Sequence, residues 1–237
     1  MSHRVATVLC SALLAGCMAR GGYPPIQRTL VGATAALDEA QIGDLLAAAP
    51  RLPVAPRAAL LVTDAYSGPG RLAESDRAAL IELLRTRLDR PPFASVRLVP
   101  TAVAPSYSGG DDLSLATLRS AAARMQGDVL VVVTTAVDTD TGTNPLSVTY
   151  LALLPALFVP GSDVGAWASA EACAIDVRSG VFLACASGHG TATDGYVIPT
   201  RIAPALRTAV RDAVDDALAG LAAQVTGQVE RWCGAPL

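Results

Sequence analysis

The run Asp128-Val129-Leu130-Val131-Val132-Val133-Thr134-Thr135 constrains the fold more than any other stretch of this chain. Its β-branched residues favour extended backbone, and no polar residue alternates with them, so a strand here must be buried on both faces. Sheets buried on both faces are covered by helices, which places the chain in the α/β class. Ala58 to Asp64 (AALLVTD), between Pro56 and the Gly68-Pro69-Gly70 turn, suits a second buried strand. Ser75 is positioned to cap a helix running to Asp89. Leu80, Leu83, Leu84 and Leu88 fall on one face of it, and Pro91-Pro92 ends it. Ser95 to Val99 reads as a further strand. The Tyr107 to Asp112 loop, with Asp111 and Asp112 as capping charges, leads into a helix from Leu113 to Met125.

Beyond the valine run, Leu146 to Val159 is apolar but contains Pro155 and is short for a membrane span. It reads as a strand entering an irregular turn at Val159-Pro160-Gly161. Ala168 to Ile175 and Val181 to Ala186 form a hairpin whose three-residue loop ends in Gly180, with Val177 opposite Val181. Ala203 to about Arg231 is a closing amphipathic helix. The expected architecture is βαβαβ, then an antiparallel hairpin and a C-terminal helix, giving a mixed sheet covered by helices.

The first residues carry a different signal. A basic start (His3, Arg4) precedes an apolar run from Val5 to Ala15, the length of a signal-peptide core. Leu14-Ala15-Gly16-Cys17 then has the form of a lipobox, the recognition site for lipid attachment to a cysteine. Three segments follow: a lipoprotein signal peptide over 1–16, a lipidated tether with one short helix over 17–57, and a single α/β domain over 58–237. Acyl chains on Cys17 suffice for stable anchoring to membrane lipid. Met18 and Ala19 follow without an Asp, so the default address is the periplasmic face of the outer membrane.

All eighteen basic residues are Arg, scattered without a basic stripe, and the net charge is -3. That balance excludes nucleic acid as a partner. Of five cysteines, Cys10 leaves with the signal and Cys17 takes lipid, so Cys173, Cys185 and Cys233 meet an oxidising compartment. The hairpin register places Cys173 opposite Cys185. A cross-strand disulfide and two small reduced residues are both compatible with that register, since hydrogen-bonded cross-strand sites take the bridge less easily than the other kind. Cys233 is left over, either free or bridging a dimer.

Several segments together, PPFASVRLVP, then YSGGDDLSLATLRSAAARMQGDVLVVV, the Leu146 to Val159 stretch closed by Phe158-Val159-Pro160-Gly161, and AIDVRSGVFLACASG, resemble the rhombotarget lipoproteins. The resemblance spans Leu52 to Gly190 and implies a membrane-tethered α/β module with no catalytic activity attached.

Motifs for chemistry are sparse. His189, the one histidine of the mature chain, lies in Ser187-Gly188-His189-Gly190. The flanking glycines read as a flexible loop, and a general base with Ser187 or Asp194 is the competing reading. Asp138, Asp140 and Asn144 in DTDTGTN resemble the start of a calcium loop, but Thr149 stands where the bidentate Glu belongs, so a solvated turn is favoured. Asp212, Asp215 and Asp216 read as a solvated helix face. No zinc-ligand spacing and no nucleophile elbow occur, so no metal, cofactor or catalytic residue is assigned. The expected function is a non-catalytic interaction or assembly module with an envelope protein partner. The alternatives are an envelope hydrolase using His189, or a homo-oligomer formed through Leu146 to Val159.

Overall fold

The computed structural model describes residues 23, 30–31, 38–48, 50, 52–64, 74–100, 113–143, 146, 161–196 and 202–233. Residues 1–16, read above as a signal, Cys17, Asp111 and Asp112, read as caps, Asn144, Thr149 and nearly all of Leu146 to Val159 lie outside that set.

In chain order the elements are β1 (Leu30–Val31), α1 (Glu39–Ala47), β2 (Arg57–Asp64), α2 (Glu74–Leu88), β3 (Ser95–Leu98) and β4 (Leu113–Ser114). Then follow α3 (Leu115–Arg124), β5 (Val129–Thr143), β6 (Ser162–Asp176), β7 (Phe182–Tyr196) and α4 (Ile202–Glu230). The main sheet has the order β3-β2-β5-β6-β7, with β2 parallel to β3 and β5 and the β5-β6-β7 run antiparallel. This is the mixed α/β sheet expected. A two-residue parallel pairing of β1 with β4 lies apart from it.

The valine run is buried on both faces because each face has its own helices. Val129, Val131 and Val133 join Leu60 and Val96 beneath α2 and α4, while Leu130 and Val132 join Ala59 and Leu61 beneath α3. Asp128 fastens the strand starts. Its carboxylate accepts from the Arg57 backbone N–H and Nε, each at 3.0 Å, while its own N–H donates to Arg57 O. Those bonds hold the Asp128 carboxyl below its ordinary pKa, against the opposing effect of burial.

Several expectations shift. Helix α2 begins at Glu74, so Ser75 lies inside its first turn, and Leu83 is 38% exposed while Leu80, Leu84 and Leu88 are buried. A helix starting at Leu113 is replaced by β4 followed by α3. Asp138 and Asp140 sit within β5, opposite Trp167 and Gly165, and are neither a turn nor a calcium loop. Ladder bonds to β6 continue there because β6 is itself long enough to pair with every residue through Thr143. In α4, Asp215 does more than face solvent: it forms a 2.9 Å ion pair with Arg87 that ties α4 to α2.

The hairpin turn is one residue longer than expected. Asp176 N–H donates to Val181 O and Gly180 N–H to Asp176 O, while Val177 N–H turns away to Asp128 O. The buried Asp176 carboxylate accepts from the backbone N–H groups of Arg178 and Ser179, an Asx turn, and Gly180 takes φ +81°. Arg119 of α3 donates to the carbonyls of Val177 and Arg178 and holds the turn against the helix. A register shift beside Ala174 and Ile175 then restores the pairing of Cys173 with Cys185.

Candidate functional site

Since Val177 N–H bonds β5, the odd-numbered residues of β6 pair with β5 and the even-numbered ones with β7. Cys173 and Cys185 therefore form a non-hydrogen-bonded pair, the closer kind, with Cα atoms 4.2 Å apart, and their sulfurs are bonded. Cys233 is unpaired and half-buried, with Sγ donating to Val229 O, and burial pushes its thiol pKa up.

His189 is not in a loop. Strand β7 runs through Ser187-Gly188-His189-Gly190, with His189 opposite Ser169. The two flanking glycines serve packing on the other face. A Cβ at Gly188 would come 2.2 Å from Ala217 O, and one at Gly190 would come 2.0 Å from Ala213 O. Helix α4 thus lies directly on the β7 backbone, an approach only glycine permits. Across β6 the same face carries Ala166, Ala168, Ala170, Ala172 and Ala174, all buried.

On the opposite face the His189 ring stands 3.4 Å from Ser169 Oγ through Nδ1 and is covered by Tyr23, with ring centroids 4.7 Å apart. Ser187 and Asp194, the partners weighed from sequence, do not meet His189. Ser187 is two residues along the strand, and Asp194 has an even number and so points to the α4 side. Among the described residues no carboxylate hydrogen-bonds to His189, and no group of three or more metal-ligating side chains occurs. A base without an orienting acid and with only a long contact to a buried serine is not an assembled nucleophile.

The outer edge of β7 is the more distinctive feature. Even-numbered β7 residues bond β6, so the odd-numbered ones direct their N–H and C=O outward, and among the described residues no further strand pairs with them. Both ends of that edge are blunted. Trp232 Nε1 donates to Leu183 O at 2.7 Å and Gln224 Nε2 to Ser187 O at 3.3 Å, both from the C-terminal part of the chain. At the far end Asp194 Oδ1 accepts from Gly195 N–H at 2.9 Å. Between them His189, Thr191 and Thr193 are exposed, and their outward backbone groups have no such cap among the described residues. Sequence reasoning missed this edge because Ser-Gly-His-Gly reads as loop. The small residues every second position from Ala184 to Ala192 were the available signal.

Comparison with known proteins yields weak structural likeness only. No family model matches the chain, and no curated protein matches it. Among solved structures, the PelC dodecamer from Paraburkholderia phytofirmans is similar at 16% identity and TM-score 0.37, over 73% of this chain and 92% of that one. A neuraminyllactose-binding hemagglutinin homolog from Helicobacter pylori aligns at 8% identity and TM-score 0.47, over 78% and 91%. A minor lipoprotein from Acinetobacter baumannii aligns at 12% and 0.33, over 76% and 93%. At these scores neither an activity nor a partner passes to this chain.

Proposed function

We propose that this chain is an envelope lipoprotein of the rhombotarget type, held to the periplasmic face of the outer membrane through acylated Cys17. Its α/β domain works without catalysis, by binding other envelope proteins. The observation that carries the reading is the lipobox Leu14-Ala15-Gly16-Cys17 after a signal-length apolar run. The Cys173–Cys185 bridge supports it, since such bonds persist in oxidising compartments. No described helix is long and apolar enough to cross a membrane. Acyl chains on Cys17 would supply a stable attachment to lipid.

The test is the intact mass of the protein extracted from membranes in detergent, beside Cys17→Ala. A chain beginning at Cys17 and carrying acyl groups, absent from the variant, is the expected result. An uncleaved or unacylated chain sinks the proposal. A hydrolase reading has one observation in its favour, the Ser169 to His189 contact, and requires that Ser169→Ala, at a buried side chain, abolish an envelope phenotype that the binding reading leaves intact.

A further inference from the structure

We propose that the open stretch of the β7 edge, His189 to Thr193, accepts an extended segment of a partner protein by strand addition, with basic side chains of that segment facing Asp194 and Asp216. The inference rests on the protein-binding reading above and names the surface and chemistry of that binding.

An exposed edge strand is a template for another chain, and folded proteins blunt such edges with charge, proline or cover. Strand β7 has neither proline nor Lys nor Arg over its fifteen residues, and Asp194 is its one charge. Side-chain caps close the edge at Leu183, Ser187 and Gly195. Among the described residues, what is left open has a defined length: three outward residues, each offering a donor and an acceptor, enough for a short added strand. A segment docked there lies about 4.8 Å beyond β7 and sends alternate side chains to the two faces of the sheet.

On the α4 side those side chains meet carboxylates. Asp216 Cβ lies 3.0 Å from where a Gly190 Cβ would stand, so this exposed residue flanks the open stretch, and Asp194 points to the same side. Neither has an ion-pair partner among the described residues, whereas the neighbouring Asp212 and Asp215 are taken by Arg211 and Arg87. On the opposite side the segment meets Thr191 and Thr193, and His189 with the Tyr23 ring against it, which suit small polar residues. A second copy of the chain suits the edge less well. Antiparallel self-pairing about Thr191 would bring two more carboxylates, the copy's own Asp194 and Asp216, alongside the first two, and like charges across a strand pair are unfavourable.

The experiment uses the full lipidated chain in nanodiscs near physiological ionic strength. Two fluorescent heptapeptides are compared, one alternating Thr with Arg and one alternating Thr with Glu. The Arg peptide is expected to bind and to slow amide exchange at His189, Thr191 and Thr193 by at least about tenfold, and the Glu peptide to do neither. Thr191→Pro removes an outward N–H while sparing the ladder to β6, and should weaken binding by about tenfold or more. Asp216→Arg, on the surface and remote from the ladder, should weaken it comparably. Absence of Arg-peptide binding overturns the inference, as does equal binding by folded Thr191→Pro. Slow exchange at these amides without peptide, together with a dimeric mass in light scattering, overturns it in favour of self-pairing. Any of these failures leaves the acylation test at Cys17 untouched, and failure of that test leaves peptide binding to be judged separately.

Discussion

In the parallel half of the sheet, β2, β3 and β5 offer Leu and Val to helices on both faces, with Leu60, Leu130 and Val131 almost wholly buried. In the antiparallel half, β6 and β7 offer Ala and Gly to α4 on one face and polar residues to the other, where Ser187, His189, Thr191 and Thr193 are exposed. The first half is stabilised by volume of side chain, the second by nearness of backbone. A missing methyl group should therefore harm the first, and an added one the second.

The largest effect is expected where volume matters. Leu60→Ala should cost about 2–5 kcal/mol in denaturant unfolding, because the site is enclosed by strands and helices and cannot collapse. The opposite change probes the other half. Gly190→Val, whose Cβ would fall 2.0 Å from Ala213 O, should cost about 1–3 kcal/mol or more by lifting α4 from β7. If Gly190→Val were neutral, the contrast between the halves would collapse.

Asp128 sharpens the comparison through pH. Its folded carboxyl titrates below the ordinary 3.8, because Arg57 hydrogen-bonds the charged form. A depressed folded value adds stability that is fully present above the unfolded value and lost as pH falls through the folded one. Melting should thus be insensitive to this group from neutrality down to about pH 5 and fall in more acid solution. Asp128→Asn should flatten that acid limb and lose about 1 kcal/mol at neutral pH. The smallest effect belongs to His189→Ala, an exposed residue whose contacts are one long hydrogen bond and the Tyr23 ring, which should change stability by about 0.5 kcal/mol or less.

The sequence made the first half legible because Val129 to Val133 and Ala58 to Leu61 advertise double-sided burial by composition alone. It made the second half only partly so. The register joining Cys173 to Cys185 could be counted, but the turn that achieves it was misplaced, since the Asx bonds of Asp176 and the compensating bulge leave no periodic trace. Gly188 and Gly190 mean loop in most contexts. Here they mean a helix resting on a strand, which only the position of α4 reveals. Asp138 and Asp140 look like loop residues because alternation of Asp with Thr is polar throughout, yet a long partner strand keeps them in the ladder. Tyr23 on His189, a contact across most of the chain, has no local signature at all.

That contact also sets a leash. Tyr23 is six residues beyond Cys17, a span of at most about 20 Å fully extended, and its ring rests beside the uncapped stretch of β7. In a chain acylated at Cys17, this corner of the domain would patrol a thin layer next to the lipid headgroups. Any segment docking there would have to come from a protein already at the same membrane, or reach down to it.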